Sequence, residues 1–491
     1  MAAAPAARRV VVIGAGASGM AAARDLRSAG AEVVVVEARD RTGGRIWTER
    51  LGDGTAVDMG AAWLHGHTEA NPMTKIARDL QATLVVTDWQ ENSECWQAVG
   101  PAAGRPEPAR EPMTDEDWKN ANREFKRTEQ LHLQEQARRK QDWPNGPDES
   151  LWEGLKKLKS KMFPGLDALD ERTRNLVTVL WAEESEYDYA AGMEDLSFTW
   201  WNADGCVDGE NCLWKDGYRA LIDHLAEGVD VRLSCPVRAV REVPPDEDGN
   251  GVEVCLASGE ALRCSACVCT LPLGILRAGH VEFEPPLEPE KVAAAQRMKM
   301  GLLNKIVLRF DTCFWPAETH VLARAPVVDA RRQPEALEVP MWVNMKCVTG
   351  ATALVGLLVA STADLAENRT DEELTAHALD LLRSMFPEEV VDGAKLLEAK
   401  VTRWRADEFT LGSYSYLPPG SSPQDREALA KRHGAVFFAG EATELHYPST
   451  VHGAYLSGKR AAKEALGHLG IVAPSRRTRA KGRKGPVANV A

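Results

Sequence analysis

No apolar run in this chain is long enough to cross a bilayer: the longest, such as Ala353–Ala360, fall far short of the roughly 20 residues a spanning helix requires. The N-terminal MAAAPAARR has no apolar targeting core before the first strand-like segment, so an intracellular soluble protein without a membrane partner is expected. Positive charge is in deficit. The formal net charge of −13 argues against general nucleic-acid binding and suits a cationic ligand. Cys264, Cys267 and Cys269 form the one close cluster among ten cysteines, with neither a second Cys pair nor a His at ligand spacing. Metal is therefore not expected there, and buried thiols in a reducing compartment are. No internal repeat is present, so a repeat architecture is not indicated.

What is present begins at Arg9. Val10–Ile13 reads as a buried parallel strand, Ser18–Ala29 as a helix stopped by Gly30, and Val33–Val36 as a second strand ending in Glu37. Gly14 permits the tight turn, Gly16 lets a pyrophosphate approach the backbone, and Gly19 lets the helix pack on the strand, with the helix N-terminus facing the phosphates. Glu37 is placed to accept hydrogen bonds from both hydroxyls of an adenosine ribose. Gly43, Gly44 and Arg45 follow, offering a second close approach to the pyrophosphate and a bidentate cation. A nicotinamide enzyme does not need that segment, so FAD is the expected cofactor.

At 491 residues, 44% hydrophobic and 27% charged, the chain has the composition of a soluble globular protein of two or three domains. The glycine-bearing, aromatic stretch Val57–Gly66 has the character of a loop under a ligand. From Thr114 to Lys161 charged helical sequence with recurring Trp118, Phe125, Leu131 and Leu133 predicts a helical insertion. Residues 235–270 alternate as VRAVREV, VEVCL and LRCSACVCT between turns and predict a three-stranded antiparallel meander. NKIVLRF, MWVNMKC and TALVGLLVA predict a second, mixed sheet, followed by a helix with a capping pattern at Thr370 to Glu373. AVFFAGEA and VHGAYLSGKRAAKEAL then return to the opening theme as strand and helix, closing the domain opened at residue 9. The basic stretch Ser475–Pro486 reads as a solvated, disordered tail.

These parts in this order resemble the flavin-containing amine oxidase family, most closely its polyamine oxidase branch. The resemblance rests on GAGASG with Glu37, GGRIWT, DMGAAWLHG, LPLGIL, GLLNKIVLRF, TRWRADEFTLGSYSY and FAGEATELHYPSTVHGAYLSG, and spans about residues 8–468. It implies an α/β fold: a discontinuous Rossmann-like FAD-binding domain (1–88, 205–296 and 398–470), an α+β substrate domain with a six-stranded mixed sheet flanked by helices (89–204 and 297–397), and a basic tail (471–491). It also implies oxidation of a C–N bond at a secondary amine of spermine, spermidine or an acetylated derivative, by hydride transfer to flavin N5. The imine is hydrolysed to an amine and an aminoaldehyde, and O₂ is reduced to H₂O₂.

Residue by residue, the resemblance assigns Glu37 to the ribose, Arg45 to the pyrophosphate, Val237 to the adenine through its backbone, and Glu441 to the ribityl-phosphate region. Ser18, Arg39, Gly60, Ala61, Trp63, Gly440 and Val451 in the same motifs are further cofactor candidates. Lys305 stands where the family keeps a lysine that reaches flavin N5 through a water, and Trp404 and Tyr414 match aromatic positions beside the isoalloxazine. His65 matches the branch that carries histidine facing the substrate tunnel. Thr450 replaces the second tyrosine of the monoamine oxidases, and Thr402–Thr450 contains no cysteine for a covalent flavin link, so a non-covalent FAD is implied.

Hydride loss requires a neutral nitrogen, whereas a polyamine is mostly protonated near neutral pH, so the remaining nitrogens must be held as cations. Glu183, Glu184, Glu186 and Asp188 are the densest acidic group near a domain crossing; Glu184 is the preferred candidate, and a solvated helix end is the structural alternative. Branch resemblance alone implies the back-conversion that returns spermine toward spermidine. The competing functions are an amino-acid oxidase, a histone lysine demethylase acting in chromatin, and a flavin-bound scaffold without turnover. The chain is expected to be a monomer or weak homodimer in the cytoplasm. The peroxisome is the alternative, although the C-terminal Asn489-Val490-Ala491 is not an SKL-like tripeptide.

Overall fold

The computed structural model describes residues 8–87, 93–97, 113–146, 148–162, 170–325 and 341–472. The basic stretch Ser475–Pro486 lies outside them. Valine-rich segments with no polar interruption form the central strands of a parallel sheet, as expected where both faces are covered. Its order is Val436–Phe438, Ala266–Cys269, Arg9–Ile13, Glu32–Val36, Asp230–Arg232. Side chains alternate between two cores. Val10, Val12, Val33 and Val35 pack toward the helices Ala17–Ser28 and Val451–Leu469. Val11, Ile13, Val34 and Val36 pack against Val252, Val254 and Leu256 of an antiparallel layer on the other face.

That antiparallel layer corrects one expectation. LRCSACVCT is not a single meander strand: Ala261–Cys264 pairs with Val252–Leu256, and Ala266–Cys269 joins the parallel sheet beside Arg9–Ile13. Ser265 is the crossing point, and a parallel strand, Glu282–Glu284, completes a four-stranded layer. All three clustered cysteines are buried and free, and burial pushes the Cys264 and Cys269 thiols up to about 12.

The second sheet has six strands in the order Leu396–Val401, Leu303–Phe310, Ala353–Val359, Met341–Asn344, Val321–Ala325, Ser93–Gln97. Neighbours are antiparallel except the last pair. MWVNMKC is only half strand, because the Asn344 side chain accepts the Lys346 N–H and caps a short helix, Met345–Thr349. Thr370 and Glu373 form the expected reciprocal cap on the helix Asp371–Met385. In the insertion, Thr114 and Asp117 cap a helix running from Asp115 to Asp142. Its inward face carries Ala121, Phe125, His132 and Gln136, whereas Leu133 is 43% exposed. Two polar residues on the buried stripe hid its phase from a hydrophobicity reading. Among the described residues no helix is long and apolar enough to cross a membrane.

Candidate active site

One cavity of about 1490 Å³ starts at the carboxyl ends of the parallel strands and continues beneath the six-stranded sheet. This exceeds the roughly 300–1,000 Å³ of a pocket for one drug-sized ligand, leaving room for a cofactor and a substrate together. Gly14, Glu37, Thr270 and Gly440, each just past a strand end, line its first part. Gly19 is obligatory, since a Cβ there would sit 1.9 Å from the Gly14 carbonyl oxygen. Gly16 and Gly440 differ: a Cβ would meet no protein atom closer than 3.8 Å at the first and none within 4 Å at the second. Both border open cavity, so the space their missing side chains leave is ligand space, and this cradle fits a dinucleotide at the start of the helix Ala17–Ser28.

The candidate cofactor residues gather here. Glu37 is buried, accepting the Ala15 N–H at 2.7 Å and the Arg39 N–H at 2.9 Å, while its carbonyl accepts the Cys235 N–H and so draws Val237 to the same wall. Arg39 lines the cavity but makes two hydrogen bonds, of 2.6 and 2.7 Å, to Asp407, a partner the sequence did not reveal. Ser18 is tied at 3.3 Å to Ser457, whose hydroxyl accepts the Gly440 N–H. Arg45 donates to the Ser413 carbonyl and to Glu441, at 2.9 and 2.8 Å. Burial opposes ionisation of Glu441, but Arg45, Arg426 and the Ser415 hydroxyl outweigh it and hold its carboxyl below the ordinary value. Gly44, Gly60, Ala61, Trp63 and Val451 complete the lining.

Toward the second sheet, the strand Leu303–Phe310 turns Lys305 into the cavity. Its buried ammonium donates to the carbonyls of Asp58 and Gly60 at 2.8 and 2.7 Å, and lies 5.7 Å from the Trp63 ring centroid. Burial pulls the Lys305 pKa down to about 8 against the raising effect of the Asp58 carboxylate. The Trp404 indole donates to the Met59 carbonyl at 3.3 Å, and the Tyr414 hydroxyl to the Tyr187 carbonyl at 2.7 Å. Burial, then Asp188 and Glu441, push Tyr414 far above the ordinary phenol value. His65 lines the cavity with its side chain exposed to that space, and desolvation by the surrounding protein lowers its pKa against the raising effect of a hydrogen bond with Asn211. Thr450 borders the cavity, but its hydroxyl is used in capping: it donates to the Tyr447 carbonyl and accepts the Gly453 N–H at the start of the helix Val451–Leu469.

Beyond Tyr414 the cavity becomes acidic. The helix Glu171–Ala182 widens into a π turn, Glu183–Tyr187, a distortion frequent at functional sites. Glu183, Glu184 and Asp188 line the cavity there, together with Glu129 of the long helix and Asp204; Glu186 is not part of the lining. Burial, then Glu184, raises Glu183 to about 7; burial, then Glu129, raises Glu184. Asp188 is raised strongly, by burial and then by Glu184, Asp204 and Glu183. No basic side chain among the described residues contributes to lowering these three. Glu129, Asp204 and Arg426 were not legible as site residues, because isolated charges without a motif carry no positional signal; Asp58 and Asp407 lie inside the motifs DMGAAWLHG and TRWRADEFTLGSYSY, but their partners Lys305 and Arg39 are far away in sequence.

The family model described as flavin containing amine oxidoreductase matches residues 17–466. Polyamine oxidase 4 of Oryza sativa subsp. japonica is 31% identical over 455 residues, 93% of this chain and 88% of that protein. A lysine-specific histone demethylase 1 homolog 3 of Oryza sativa subsp. indica is 30% identical over 487 residues, 98% of this chain but 56% of that protein. The chain thus spans little more than half the length of such demethylase relatives. Among solved structures, putrescine oxidase bound to putrescine superposes with a TM-score of 0.71 at 20% identity, covering 94% of this chain and 99% of the other.

Proposed function

Because the chain belongs to the flavin-containing amine oxidoreductase family and takes FAD as its cofactor, we propose that it oxidises a polyamine of the spermine and spermidine class at a secondary amine. The observation that carries this reading is the acidic arm: Glu129, Glu183, Glu184, Asp188 and Asp204 line the same cavity as Lys305 and Tyr414, and desolvation and mutual repulsion raise the pKa values of Glu183, Glu184 and Asp188. A bound polycation relieves that repulsion, each ammonium favouring the charged carboxylate beside it. A single amine or an α-carboxylate offers no such compensation along the arm.

Bound FAD supplies the hydride acceptor and passes the electrons to O₂, giving H₂O₂. The chain's own residues supply the rest. Trp404, Tyr414 and Trp63 form an apolar, aromatic surround that disfavours an ammonium at the reacting nitrogen, and the His65 imidazole lines the same cavity as a proton acceptor. Lys305 holds positive charge and ordered donors close to the site of electron transfer. Hydride loss from the carbon beside the neutral nitrogen leaves an imine, which water cleaves to an amine and an aminoaldehyde. The FAD is held without a covalent link, since Thr402–Thr450 contains no cysteine.

The test is H₂O₂ release by the purified flavoprotein with spermine, spermidine, N1-acetylspermine, a monoamine, an L-amino acid and a methyllysine histone peptide, with product analysis. Turnover of the polyamines, with spermine returned toward spermidine, is expected. Lysine demethylation is the competing reading, carried by the equal identity to the demethylase relatives. Turnover of the peptide with none of the polyamines overturns the proposal in its favour.

A further inference from the structure

Glu441 faces the cavity together with Arg45 and Ser449, whereas Ser415 and Arg426 lie behind the wall. Ser415 donates its hydroxyl to Glu441 Oε2 at 2.6 Å, and the same hydroxyl oxygen accepts a hydrogen bond from Arg426 Nη1 at 2.7 Å. Arg426 sits on the helix Pro423–Ala430, is 3% exposed and does not line the cavity. The Ser449 N–H also reaches Oε2, at 3.2 Å, so that oxygen is saturated by protein donors. Among the described residues Oε1 accepts only Arg45, at 2.8 Å, and a carboxylate oxygen offers two lone pairs. One acceptor position of Glu441 is therefore left for the cofactor, and its direction is set by what grips the other oxygen.

We infer that Arg426 is a positioning residue for FAD: acting through the Ser415 hydroxyl, it orients the Glu441 carboxylate and sets a second positive charge behind it, without touching the cofactor itself. A buried guanidinium is costly unless compensated. Its compensation comes from the carboxyl groups of Glu441, Asp204 and Asp425 rather than from one ion pair. Glu441, Asp204, Tyr189 and Asp425 are the titratable groups that act on Arg426, and Arg45, Arg426 and Tyr414 are those coupled to Glu441. Without Arg426, Glu441 keeps one cation of two, and protonation of its carboxyl begins at higher pH.

The experiment titrates FAD into apoprotein of the full chain and follows flavin fluorescence from acid to neutral pH. In Arg426→Met, FAD affinity falls at least tenfold at neutral pH, about 1.4 kcal/mol, and the acid limb of binding moves to higher pH. Arg426→Lys recovers most of the affinity, and Ser415→Ala reproduces the orientational part of the loss. Leu429→Ala, at a buried apolar position on the same helix, lowers stability without moving the acid limb. Wild-type affinity in Arg426→Met, or a loss that Lys does not rescue and Leu429→Ala matches, overturns the inference. If Arg426→Met does not fold, Ser415→Ala still decides: unchanged FAD binding and an unmoved acid limb in that variant overturn the inference equally.

Discussion

Lys305 gives two of its three protons to backbone carbonyls, so it is both a chemical group and a structural one. Lys305→Met leaves the Asp58 and Gly60 carbonyls without that donor, at a cost of about 1–3 kcal/mol each if water does not replace it. On the proposed function it also removes a positive charge beside the flavin, and stopped-flow reoxidation by O₂ should slow at least tenfold; an unchanged rate removes Lys305 from the mechanism. The folded-state pKa of about 8 lies below the ordinary 10.5. Between those values the unfolded chain binds more protons than the folded one, so the Lys305 contribution makes stability rise with pH across that window. Urea unfolding of wild type and Lys305→Met near pH 8 and pH 10 should show a pH-dependent difference in that direction. The lysine was legible because it sits in a motif on a strand. Its carbonyl partners lie about 245 residues away in sequence and were not.

At the level of elements, local periodicity revealed strands and helices but not how their ends are used. Thr450 stands in place of the second tyrosine of the monoamine oxidases, and in the fold its hydroxyl caps the helix Val451–Leu469. Thr450→Ala should therefore cost about 1 kcal/mol of stability in urea unfolding, with Thr450→Ser recovering it. The acids of the sequence EESEYD were legible as a group, but the π turn that displays them was not, since one extra residue per turn leaves no compositional trace. That turn brings Glu183, Glu184 and Asp188 to one cavity. Glu184→Gln should raise the KM for spermine severalfold and leave kcat, set at the Lys305 end, within about twofold. Equal loss of kcat and kcat/KM would instead place Glu184 at the reacting bond.

The whole molecule joins a nucleotide-binding sheet to a substrate sheet, and the parallel sheet closes only when Val436–Phe438 pairs with Ala266–Cys269. One end of that closure is readable, because Val436–Phe438 is a continuous apolar run next to a glycine turn; the other is not, because LRCSACVCT reads as one meander strand and nothing in its local pattern marks Ser265 as the crossing between two sheets. The order of the six-stranded sheet was not, because strand order follows from long-range pairing rather than local pattern. Charge is the other property that belongs to this scale. A net charge of −13, with carboxylates concentrated in a deep cavity, focuses a negative field on the path of an incoming cation. Ions shorten the reach of that field, to about 10 Å at 0.1 M. If the acidic arm receives several ammonium groups together, raising NaCl from about 0.02 to about 0.3 M should lower kcat/KM for spermine more steeply than for a monoamine, because each additional charge is screened in turn. Glu184→Gln should flatten the spermine slope and leave the monoamine slope where it was. If spermine and monoamine slopes are equal, the substrate feels only the overall charge of the protein, and the arm does not bind it as a polycation.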